Sequence, residues 1–82
     1  MKKILVIDDD IQVRDVLDQM LRRAGYEVVL AAEGDTACEL FRKAPADVII
    51  TDMIMPEKAG IETIMELRTD FPDVKIIAIS GG

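Results

Sequence analysis

The stretch ILVIDDD, Ile4 to Asp10, decides how the rest of the chain is read. Ile4–Ile7 is a continuous apolar run rich in β-branched residues, with no polar residue alternating through it. That is the pattern of a strand buried on both faces, as in a parallel sheet, rather than one with a wet side. Three adjacent aspartates follow: Asp8, Asp9 and Asp10. Neighbouring carboxylates repel one another, so the cluster is a helix cap, a solvated charge run or part of a metal site.

From Ile11 the period changes. Val13, Val16, Leu17, Met20, Leu21 and Ala24 fall at helical spacing and form one apolar stripe. Arg22 and Arg23 suit the negative end of a helix dipole, and Gly25 suits the position just past a helix C-terminus. Glu27–Ala32 reads as a second strand. Asp35–Lys43 reads as a shorter helix with Ala37, Leu40, Phe41 and Ala44 on its apolar side, stopped by Pro45. Val48–Thr51 is a third strand. Beyond a loop holding Pro56 and Gly60, the residues Ile61, Ile64, Met65 and Arg68 set a third helical stripe that ends before Pro72. Val74–Ile79 is a fourth strand.

The order is therefore β-α-β-α-β-α-β. Strands joined by helical crossovers pair in parallel with right-handed connections, which gives an open α/β sheet with helices on both faces. No repeat, low-complexity tract or linker interrupts it, so residues 1–82 are read as one domain.

Composition narrows the function classes. The formal charge is −6, which argues against nucleic acid and anionic membranes as partners and suits a divalent cation or a basic protein surface. Half the residues are hydrophobic and tryptophan is absent, so the core is aliphatic. A single cysteine, Cys38, excludes an internal disulfide and suits a reducing cytoplasm. Met-Lys-Lys precedes only four apolar residues, too few for the apolar region of a signal peptide. No run approaches the roughly 20 apolar residues that span a bilayer, so the expected setting is a soluble, cytoplasmic one.

The polar residues fall in a telling place. In open parallel sheets, ligands bind beyond the carboxyl ends of the strands, where the strand order reverses. The first strand ends at Asp8 and Asp9, the third at Asp52 and the fourth at Ser80. If the order is 2-1-3-4, the reversal lies between strands 1 and 3, and Asp9 and Asp52 would face each other there. Convergent carboxylates repel unless a cation sits among them, and hard oxygen donors favour Mg²⁺ or Mn²⁺. Asp10, one residue further on, is read as the N-cap of the first helix.

Three segments, ILVIDDD, DVIITDMIMPEKAG and KIIAISGG, stand at successive strand ends. Through them the chain resembles the receiver domain of bacterial two-component response regulators, from Lys3 to Gly81. The resemblance implies a flavodoxin-like sheet of order 2-1-3-4. It implies that Asp52 is the phosphoacceptor and that Asp8 and Asp9 hold Mg²⁺ together with Asp52 and the backbone carbonyl of Ile54. It also implies that Ser80 donates a hydrogen bond to the phosphoryl group and helps to switch conformation. The phosphoryl donor would be a phosphohistidine on a histidine kinase or a phosphotransfer protein, and a chain without histidine is not itself that donor. Such a module is a phosphoacceptor that assists its own phosphorylation and dephosphorylation rather than a turnover enzyme.

Receivers also carry a fourth helix, a fifth strand with an essential lysine, and a fifth helix, and this sequence stops short of them. Lys58 and Lys75 do not match that lysine. The expectation is a truncated receiver without an output domain, its activity reduced. The fourth strand and the sheet faces left uncovered are expected to drive a homodimer or higher oligomer.

Other classes compete. A haloacid-dehalogenase-type phosphatase would use Asp8 and Asp10 as its Asp-x-Asp pair, but it leaves Asp52 unexplained. A nucleotide-binding module lacks a glycine-rich turn after the first strand. A non-catalytic fragment that only self-assembles keeps the fold without phosphate chemistry. Cys38, Met53, Met55 and Met65 are read as packing residues, and Ala59 as a position where a helix cap is missing.

Overall fold

The computed structural model describes residues 2–52 and 60–79. Four parallel strands and three helices alternate: β1 (Lys3–Ile7), α1 (Ile11–Arg23), β2 (Glu27–Ala31), α2 (Gly34–Lys43), β3 (Val48–Asp52), α3 (Gly60–Asp70) and β4 (Lys75–Ile79). The sheet order is β2-β1-β3-β4, the order that the family resemblance implies.

Alternation along each strand sorts its side chains onto two faces. Ile4 and Val6 of β1 join Val28 of β2 on one face, where Leu17 and Leu21 of α1 pack with Leu30, Val48 and Ile50. Leu5 and Ile7 point the other way, into a larger cluster with Ala31, Ile49, Ala37, Cys38, Phe41 and Leu67. β1 is thus covered on both sides, and its last four residues are all buried. This is why ILVI shows no polar alternation.

The helix boundaries follow local chemistry. Asp10 caps α1: its side chain accepts a hydrogen bond from the backbone N–H of Gln12 at 2.9 Å. At the other end Gly25 takes φ +95°, the left-handed conformation that glycine adopts without a Cβ penalty. Its N–H donates to the Arg22 carbonyl at 3.0 Å and closes the helix. Between α2 and α3 the rings of Phe41 and Phe71 meet edge to face, with centroids 4.6 Å apart.

Three packing expectations change. The apolar stripe of α1 is only half used: Leu17 and Leu21 are half-buried, none of the helix is fully buried, and Val16 and Met20 are 55% and 61% exposed. In α3 the buried line passes through Leu67, with Ile64 and Phe71 half-buried on the same side, while Met65 is exposed. Both stripes have helical spacing, but the one ending at Arg68 would carry a guanidinium toward the core. β4 opens at Lys75 because the Val74 N–H closes a turn onto the Phe71 carbonyl instead of entering the ladder. Met53, Met55, Lys58 and Ala59 lie outside the described residues.

Candidate functional site

The register of β1 against β3 builds the site. Ile7 lies opposite Thr51, so the next residues, Asp8 and Asp52, leave the two adjacent strands side by side. Their even positions, following Val6 and Ile50, place them on the α1 side of the sheet. Asp9 begins the turn that leads into α1. One carboxylate oxygen from each of Asp8, Asp9 and Asp52 falls within 4.8 Å of the others. Acids far apart in the chain thus share one pocket at the carboxyl edge, where strand order reverses.

Burial differs within the cluster. Asp8 and Asp52 are 5% and 9% exposed, whereas Asp9 stands in solvent. Burial pushes the Asp8 carboxyl above its ordinary value; the Asp10 backbone N–H opposes this, and the negative charges of Asp52, Asp9 and Asp10 add to it. That N–H donates to Asp8 Oδ1 at 2.9 Å and fixes the carboxylate's orientation. The Asp8 N–H in turn donates to the Ala31 carbonyl at 3.1 Å, tying the end of β1 to β2. On β3, the buried Thr51 hydroxyl donates to the Asp52 carbonyl at 3.1 Å. Nothing in the sequence singled out Thr51, because a threonine one residue before the end of a strand is ordinary.

The donor set fits a small divalent cation. It offers three hard carboxylate oxygens, two of them in partly desolvated positions where mutual repulsion costs most, and an exposed third side chain that leaves room for water ligands. Asp10 does not join this group; its carboxylate is engaged at the start of α1. The pairing of Asp8 with Asp10 required of a haloacid-dehalogenase-type site therefore has no support here. Asp52 lies opposite Ile79 in the β3–β4 register, so it neighbours the end of β4. Ser80 and Ile54 lie outside the described residues.

Fold and pocket together define a receiver-type α/β module. The response regulator receiver domain family matches residues 4–82, and the chain belongs to that family. Among curated relatives, it is 39% identical over 80 residues to a probable transcriptional regulator, ycf27, of Cyanophora paradoxa, an alignment covering 98% of this chain and 33% of that protein. The chain therefore spans about a third of the length of that regulator. Among solved structures, the response regulator TrrA of Thermotoga maritima, in complex with Mg²⁺ and BeF, is 38% identical. It superposes with a TM-score of 0.93 over 98% of this chain and 70% of that one. A chain in the complex of the histidine kinase ThkA with TrrA matches at 37% identity and a TM-score of 0.93, over 99% of this chain and 70% of that one. No helix among the described residues is long and apolar enough to cross a membrane.

Proposed function

We propose that the chain is the phosphoacceptor module of a two-component phosphorelay, in which Asp52 takes a phosphoryl group from a phosphohistidine of a histidine kinase or phosphotransfer protein. The observation that carries this reading is the convergence of the Asp8, Asp9 and Asp52 carboxylates at the switch point of the sheet. The Mg²⁺–BeF complex of one similar protein and the histidine kinase complex of the same protein support it.

In the transfer, a carboxylate oxygen of Asp52 attacks phosphorus, the new O–P bond forms and the P–N bond to the donor imidazole breaks. The pocket orients that nucleophile. Thr51 anchors the end of β3, and the Asp10 N–H holds Asp8 beside it. Asp8, Asp9, Asp52 and the Ile54 carbonyl would hold Mg²⁺ or Mn²⁺, which when bound supplies the positive charge that offsets the acids and the phosphoryl oxygens. Ser80 would donate a hydrogen bond to the transferred group. The acceptor is modified stoichiometrically, so the module is a signalling element rather than a turnover enzyme, and the cytoplasm is its natural setting.

The test is incubation with a small-molecule phosphodonor and Mg²⁺, followed by intact-mass measurement and peptide mapping. One phosphoryl group on Asp52, lost in Asp52→Asn, is the expected result. Modification at Asp8, or equal incorporation by Asp52→Asn, would overturn the assignment.

A second reading, a non-catalytic module that associates with itself, draws on one observation: large apolar side chains are exposed on α1 and at Ile77 of β4. It predicts neither Mg²⁺-linked stabilisation nor phosphorylation.

A further inference from the structure

A cleft opens where the sheet begins, at the far end of β1 from the clustered acids. Its volume is about 170 Å³, and its walls are Leu5 of β1, Val29 of β2, and Leu40 and Phe41 of α2. It lies between α2 and the β1–β2 side of the sheet, away from β4. Small residues leave it unfilled. At Ala44 a φ of −148° and a ψ of 88° take the chain out of the helix ahead of Pro45. Ala44 and Ala46 then line the space with one methyl group each, where larger side chains would close it.

The charged part of the lining has one sign. Among the described residues it consists of Lys3 and Lys43. Lys3 stands on the same face of β1 as Leu5, so its alkyl stem extends the apolar wall. Its ammonium lies 3.9 Å from the exposed Glu27 carboxylate, a contact worth little in water. Lys43, in the last turn of α2, is exposed and forms no salt bridge among the described residues. The nearby Asp47 carboxylate accepts the Lys3 backbone N–H at 2.8 Å and does not line the cleft.

We propose that the cleft binds a small organic acid, its aryl or short alkyl body seated against Leu5 and Phe41 and its carboxylate between Lys3 and Lys43. Size and charge both select this occupant. An apolar cavity of about 150 Å³ holds a benzene molecule, so the body is of that order. A neutral hydrocarbon leaves the two ammonium groups unused, and a cation meets like charge. The chain as a whole carries −6, so an anion gains nothing from the overall field and is held locally by these two lysines. The whole length of β1 separates Lys3 from Asp8, and the site does not depend on the proposed function.

Titration of the isotope-labelled chain with phenylacetate at low salt, followed by amide and methyl NMR shifts, tests this. Saturable shifts should centre on Leu5, Val29, Leu40 and Ala46. The expected Kd lies between about 0.1 and about 10 mM, the range open to a ligand of about ten non-hydrogen atoms. Phenylacetamide, the neutral analogue, should bind more weakly than the acid. Lys43→Gln, at an exposed helix position, should weaken phenylacetate about threefold and phenylacetamide by less than about twofold. Ala44→Leu, at an exposed position on the edge of the cleft, should weaken both about tenfold or more with the rest of the spectrum unchanged. Shifts that grow linearly without saturation up to about 20 mM overturn the proposal. So do shifts centred on Asp8 and Asp52, equal affinity of the parent chain for acid and amide, or an Ala44→Leu variant that binds like the parent.

Discussion

The Asp8 carboxylate is held by the backbone of Asp10, whose N–H donates to Asp8 Oδ1 at 2.9 Å, while the Asp10 side chain turns away to cap α1. Two acids two residues apart therefore have opposite roles, one in the pocket and one in the helix. Asp8→Asn keeps an oxygen to accept the Asp10 N–H and removes a charge buried beside Asp52 and Asp9. In metal-free protein it should raise stability by roughly 1 kcal/mol, seen as a Tm increase of about 4–8 °C for a domain of this size. The same variant should lose most of the stabilisation that millimolar Mg²⁺ gives the parent chain through mass action. Thermal melts with and without Mg²⁺ check both. If Asp8→Asn proves less stable than the parent without metal, the charge is compensated within the protein.

The raised pKa of Asp8 also fixes the sign of a pH effect. A carboxyl that holds its proton more tightly folded than unfolded makes the folded state bind more protons between its two pKa values. Its contribution to stability therefore falls as pH rises through that window and is constant below the unfolded value. The advantage of Asp8→Asn over the parent should be full at pH 7 and shrink as pH drops through the folded-state pKa of Asp8. Urea titrations of the pair between pH 7.5 and pH 4 give the difference for the Asp8 cluster, since the carboxylates remote from Asp8 cancel between the two proteins. A gap that widens on acidification would contradict it.

Asp10→Ala separates capping from metal binding. The change removes the acceptor for the Gln12 N–H and leaves the three clustered carboxylates in place. It should cost about 1 kcal/mol, within the 0.5–2 kcal/mol typical of a lost N-cap, and leave Mg²⁺ affinity within about twofold. Asp9→Ala should do the reverse, because its carboxylate is exposed and its part is in the cluster. Isothermal titration with Mg²⁺ alongside urea melts distinguishes the two, and a large loss of affinity in Asp10→Ala would return that residue to the site.

Much of this was legible in the residues because the signals are local. An unbroken ILVI run means a strand with two covered faces, and acids directly after such runs fall at the same edge once the strands are parallel. Periodicity ranks the residues on a helix by direction, but it does not say how wide a partner surface they meet. Hence α1 has a longer apolar stripe than the sheet covers, and the α3 stripe read through Met65 and Arg68 gave way to one through Leu67. Contacts between distant elements left no trace in local pattern either. The Cys38 thiol donates to Glu66 at 3.0 Å across 28 residues, and Arg42 pairs with Asp70 at 2.7 Å across the same separation.

The α2–α3 contact supports a last prediction. Phe41 is the largest fully buried side chain, at 2% exposure, and it meets the half-buried Phe71 edge to face. Phe41→Ala removes that pair and leaves a cavity among Leu5, Ile49 and Leu67, a change that costs about 3–5 kcal/mol in cores of this kind. A domain this small holds only a few kcal/mol in reserve, so the variant should be largely unfolded at 37 °C. Phe71→Leu keeps apolar volume but loses the edge-to-face geometry, for a smaller cost of about 1 kcal/mol. Far-UV circular dichroism during urea titration ranks the two. Equal losses would mean that the cost lies in the aromatic pair itself and not in the buried volume of Phe41.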